Sequence, residues 1–188
     1  MPDRLAVYLN SLGLLALCGA LGFALFDQIV FHELPCPLCL LQRMAMFAAG
    51  VGLVLNISVQ HAPRHYGIII ISSVIGMFMA IRQILLHIVP GTGAYGDPFL
   101  GLHFYTWAFL LFVGMIAGAS LMLMVMRQSG SEARQTTPWL GTFAIGLFTV
   151  LVVANVIGTT LECGGGACPD DPTSYEYLDL LLGNQHVK

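Results

Sequence analysis

Five long apolar runs, at 8–26, 40–59, 67–89, 102–126 and 139–160, constrain this chain more than anything else in it. Each is about the 20 residues an α-helix needs to cross the hydrocarbon core of a bilayer. A chain of 188 residues that is 57% hydrophobic and 9% charged cannot hide that much apolar surface in a soluble core, so lipid is its solvent. The expected fold is an all-α integral membrane protein: a four-helix transmembrane bundle plus a fifth transmembrane helix. The breaks between runs agree with this. Residues 60–65 are short and basic, 90–98 are rich in turn formers, and 127–134 are polar and precede Pro138 at a new helix start. The first run is too long for the core of a cleaved signal peptide and lacks a convincing cleavage site, so it reads as a retained span. With no repeat, low-complexity segment or soluble domain, the chain reads as a single membrane domain, 1–188, carrying an outer tail at 161–188.

Charge orients the path. Arg4, Arg64, Arg127 and Arg134 fall on one side, while Glu33, Asp97, Glu162, Asp170, Asp171, Glu176 and Asp179 fall on the other. Basic loops mark the cytoplasmic face, which puts the N-terminus inside and, after five spans, the C-terminus outside. The net charge of −3 says little about partners, but the lack of a basic face argues against nucleic acid. Four of the five cysteines form two close pairs, Cys36/Cys39 and Cys163/Cys168, and this threading delivers both to the outer, oxidising side. Cys18, inside an apolar run, reads as a small buried hydrophobe.

The run Pro35-Cys36-Pro37-Leu38-Cys39-Leu40-Leu41-Gln42-Arg43 places a Cys-x-x-Cys dithiol at the mouth of the second span. Pro37 suits the first helical position, which makes Cys36 the N-cap. A sulfur there faces unpaired N–H groups and the positive helix end, which should lower its pKa and make it reactive. Cys39 and Arg43, four apart, share a helix face, and a buried cation there needs an anionic or strongly polar partner. Thiol–disulfide exchange needs a thiolate, a partner disulfide and a route for electrons. Cys36/Cys39 supply the first. Cys163-Gly164-Gly165-Gly166-Ala167-Cys168 supplies the second, its small residues allowing a tight ring. Because Cys39 sits where lipid begins, a quinone could take electrons from within the bilayer, with Arg43 stabilising its anionic oxygen. Arg82, Gln83 and His87, in the third span, are candidate groups of that pocket, since intramembrane polar groups face the bundle interior or a cavity. Asp27 and His32 read as solvated residues of the first outer loop. Scattered histidines give no metal-site spacing. In the tail, Asp171-Pro172 reads as an N-cap and first-turn proline. It would open a short helix through Tyr175, Tyr177, Leu178 and Leu181 that rests its aromatic side on the membrane surface.

Residues 36–43 resemble the first redox motif of the DsbB family, bacterial membrane proteins that make disulfides and pass the electrons to quinone. Phe99-Leu100-Gly101-Leu102 with Trp107 is a second similarity, and the resemblance covers about 12–112. It implies that Cys39 interacts with quinone, that Cys36 is its disulfide partner, and that Arg43, with Gln42 beside it, belongs to the quinone site. It also implies ubiquinone or menaquinone as cofactor, a periplasmic DsbA-like thioredoxin-fold protein as partner, and the bacterial inner membrane as location. One departure stands out. The family's second cysteine pair lies between the third and fourth spans; here that loop has none, and Cys163/Cys168 follow the fifth span. Two other readings remain open: a quinone reductase like vitamin K epoxide reductase, or a non-enzymatic helical subunit whose disulfides are structural.

Overall fold

A computed structural model describes residues 3–89, 91, 98–125, 137–164, 166, 168, 174–177 and 180, and the structural statements below concern these. Five helices follow one another: α1 (Asp3–Val30), α2 (Pro37–Ser58), α3 (Pro63–His87), α4 (Phe104–Val125) and α5 (Trp139–Cys163). All five are long and apolar enough to cross a membrane, and the protein is an all-helical, multi-pass membrane protein. Arg127, Arg134, Asp97, Asp170, Asp171 and Asp179 lie outside the described residues, as do Pro172, Leu178 and Leu181 of the expected tail helix.

Helix ends follow local chemistry. Pro37 and Pro63 open α2 and α3, where their missing N–H would be unpaired anyway. α1 runs past its apolar core to include Asp27 and Gln28, so Asp27 is a half-buried helical residue and not part of a solvated loop. α5 stops at Gly164, whose φ of 58° ends the helix while its N–H still bonds Thr160 O.

The helices pack in a chain that closes on itself. α2 lies along α3, α3 along α4, and α1 between α2 and α5, with lighter α2–α5 and α1–α4 contacts. The core joins Leu14, Leu17, Cys18 and Leu21 of α1 to Ala49, Leu53 and Ile57 of α2, Tyr66 and Ile69 of α3, Phe112 of α4 and Phe148 of α5. Two rings seat on glycine: a Cβ at Gly50 would strike Phe148, and one at Gly76 would strike Phe112. Such small residues let helices approach where lipid supplies no hydrophobic drive. The fifth helix is thus keyed into the bundle.

The end remote from Cys36 is closed by polar groups. Asn10 donates to Tyr66 OH at 2.9 Å, Asn56 donates to Asn10 Oδ1 at 3.1 Å, and Asn56 Oδ1 meets His65 Nδ1 at 3.2 Å.

Candidate functional site

Cys36 caps α2 with extended geometry (φ −67°, ψ 160°), and its sulfur accepts the Cys39 N–H at 3.2 Å. Both thiols are free, Cys36 being 4% exposed and Cys39 half-buried. Gln83 of α3, 0% exposed, donates through Nε2 to Cys36 Sγ at 3.2 Å and to Cys39 Sγ at 3.3 Å. A glutamine amide has one accepting and one donating side. Gln42 Nε2 donates to Gln83 Oε1 at 2.6 Å, which occupies the accepting side and aims the other at the sulfurs. The Cys36 thiol is nevertheless pushed above the ordinary thiol range, first by its side-chain hydrogen bond with Cys39 and then by burial. The expectation of a depressed Cys36 is therefore corrected. The helix-end N–H and Gln83 do act downward, but the adjacent thiol and burial outweigh them.

One turn below Cys39, Arg43 is 8% exposed and bound by neutral acceptors. Its Nη1 donates to Gln28 Oε1 at 2.7 Å and Asn155 Oδ1 at 3.1 Å, and its Nη2 to Ala24 O at 3.1 Å. Helices α1, α2 and α5 meet on this guanidinium. The acidic groups near it are Cys39, Glu162, Asp27 and Cys36. Glu162, expected on the outer side, is 0% exposed within α5, a burial that its charge does not lead one to expect. Gln28 Nε2 also donates to Tyr175 OH at 3.4 Å, so Tyr175 ties the tail to the bundle instead of resting its hydroxyl on the membrane surface.

Of the remaining residues singled out in the sequence, Gln42 and Gln83 join the dithiol. His87 lies a turn from Gln83, donating from Nδ1 to Gln83 O at 2.8 Å and stacking on Tyr105 at 5.6 Å between centroids. Arg82 is exposed, because neighbouring positions on a helix point about 100° apart and Gln83 takes the inward one. Cys163 and Cys168 form a disulfide, with Cys163 5% exposed. His32 is exposed, at φ 57°. The segment 99–102 is a tight turn: Phe99 and Leu102 bond each other at 2.9 and 3.1 Å, and Leu100 and Gly101 hold φ of 52° and 80°. Trp107 Nε1 donates to Phe99 O at 3.0 Å. Sequence reasoning missed Gln28, Asn155 and the burial of Glu162. An amide inside an apolar run was the available signal for Asn155, whereas Gln28 lies past the end of the first run.

Fold and site together define a multi-pass helical membrane protein with a Cys-x-x-Cys dithiol at a helix mouth, above a buried arginine. The family model "Disulfide bond formation protein DsbB" matches residues 6–94. Proteins named Disulfide bond formation protein B are similar in several bacteria, among them the following three. That of Nitrosomonas eutropha is 37% identical over 75 residues, covering 37% of this chain and 45% of the relative. The Chromobacterium violaceum protein is 36% identical over 81 residues, covering 40% and 48%. In Xanthomonas axonopodis pv. citri the figures are 30% over 143 residues, 55% and 82%. The match thus spans about half the length of the first two relatives and most of the third. The chain belongs to the DsbB family of disulfide bond formation proteins. No solved structure matches it.

Proposed function

We propose that this protein oxidises a DsbA-like periplasmic dithiol protein and passes the electrons to a membrane quinone, ubiquinone or menaquinone. The chain would act as one unit in the bacterial inner membrane, N-terminus in the cytoplasm and the tail beyond α5 in the periplasm. Cys163/Cys168 would exchange with the soluble partner, and Cys36/Cys39 would receive the pair of electrons.

The observation that carries this reading is the Gln83 amide donating to both sulfurs while Arg43 waits one turn deeper among neutral acceptors. Gln83 stabilises negative charge on whichever sulfur attacks or leaves, since hydrogen bonds to a charged group are the strong ones. Arg43 fits an acceptor whose oxygen becomes anionic. Three of its N–H bonds hold it in place against uncharged groups, and a guanidinium has five in all. A bound quinone would supply two-electron oxidation. Arg43, Gln42, Gln83 and His87 would hold it, while the exposed Arg82 stands on another side of α3. Tyr175 supports the role of the tail, because it links the segment beyond Cys168 to Gln28 and so to Arg43.

Thiol trapping in membranes tests the reading. Cys36 and Cys39 should become oxidised on adding quinone and reduced on adding the partner dithiol. The Cys39→Ser variant should accumulate a mixed disulfide between Cys36 and either Cys163 or Cys168, because the resolving thiol is gone. Cysteines that keep one redox state through turnover would refute it.

A further inference from the structure

Among the described residues, the buried side-chain oxygens with no hydrogen-bond partner are Ser73 Oγ and both carboxylate oxygens of Glu162. Buried polar groups are nearly always paired, so an acid left bare calls for an explanation. Glu162 lies two turns beyond Asn155, about 10 Å along the same face of α5. Between them, a Cβ at Gly158 would stand 3.5 Å from Gln28 Nε2. The stripe Asn155, Gly158, Glu162 therefore faces Gln28 and the pocket of Arg43. The ionisable groups near Glu162 are Arg43 and Cys39, both on α2; Asp27, on α1, lies near Arg43 as well. An ionised carboxylate with no donor costs several kcal/mol in such surroundings. A carboxyl that keeps its proton there avoids that cost and can release the proton when charge changes beside it.

We propose that Glu162 is the proton carrier between the Cys36/Cys39 dithiol and the quinone received at Arg43. This rests on the functional reading above and adds a residue that the family-model match, ending at residue 94, does not reach. The balance is closed. Oxidation of the dithiol breaks two S–H bonds, forms one S–S bond and releases two electrons and two protons. Both pairs end on the two ring oxygens as the quinone leaves as quinol. Glu162 gives its proton toward the oxygen beside Arg43 and regains one from the thiols, so it ends the turnover as it began. Arg43 cannot do this, because a guanidinium does not give up its proton.

Infrared difference spectra of the full-length protein in lipid nanodiscs, without quinone, test it directly. Glutathione disulfide would oxidise the Cys36/Cys39 pair. The spectrum should contain a protonated-carboxyl band that shifts in D2O and disappears in Glu162→Gln. In a second measurement, single-turnover quinone reduction is followed against pH. Wild type and Glu162→Asp should stay level, while Glu162→Gln, forced to draw protons from solvent, should slow as pH rises, to about a hundredfold. No carboxyl band in wild type, together with a Glu162→Gln rate equal to wild type at every pH, would overturn the inference alone. Should the wild-type dithiol fail to reduce quinone at all by thiol trapping, the functional reading falls and this inference with it.

Discussion

Replacing Gln83 by leucine tests the centre of the site while nearly preserving its volume. Two N–H···S contacts disappear, at 3.2 and 3.3 Å, and Gln42 Nε2 loses the acceptor it reaches at 2.6 Å. A hydrogen bond to a charged atom contributes about 1.5–3 kcal/mol. If one such bond is lost as charge develops on a sulfur, and each 1.36 kcal/mol is tenfold, the dithiol should react about 10- to 150-fold more slowly. Separately, the orphaned Gln42 donor should cost about 1–3 kcal/mol of stability. Stopped-flow alkylation at fixed pH reads the first effect, and thermal unfolding in detergent reads the second. The double variant Gln42→Leu/Gln83→Leu separates them, because stability should return while reactivity stays low. Unchanged alkylation in Gln83→Leu would show that the amide is packing alone.

Arg43→Ala should lower quinone reduction by about two decades, the usual effect of removing one group that stabilises developing charge; single-turnover absorbance at saturating and limiting quinone measures it. Gly50→Ala should destabilise the bundle by about 1–3 kcal/mol, since the added methyl strikes the Phe148 ring and α5 must shift; loss of thermal stability checks this. Tyr175→Phe removes the 3.4 Å bond from Gln28 and should make the Cys163–Cys168 disulfide easier to reduce, with little change in global stability; timed thiol labelling under dilute reductant gives the answer.

The fold class could be read from hydropathy because length and apolarity alone decide which runs suit a membrane helix. The cap at Cys36 could also be read, since Pro37 and the cysteine spacing act locally. The partners of Arg43 could not. Gln28 and Asn155 stand 15 and 112 positions away and meet the guanidinium only through helix rotation and packing, which hydropathy does not encode. Gln83 was singled out as an intramembrane polar residue, but its grip on both sulfurs depends on Gln42 fixing its amide. The burial of Glu162 could not be read, because the apolar run ends at 160, before Glu162 and its neighbour Cys163. The helix continues through both, and they are 0% and 5% exposed there.

The amide cluster at the end remote from Cys36 has a consequence for how the protein assembles. Asn10, Asn56 and Tyr66 belong to three separate helices, each apolar enough to enter a bilayer unaided. On a lone helix Asn10 would keep only the Ala6 carbonyl, and Asn56 and Tyr66, near the ends of α2 and α3, would lose the partners they have here; an unmatched polar group costs several kcal/mol where water is excluded. Mutual pairing removes that cost only at one rotation and one depth of each helix. The cluster is therefore a docking key for insertion. It sets the azimuth of α1, α2 and α3 about their axes, and in doing so turns Gln28, Arg43 and Gln83 inward at the far end.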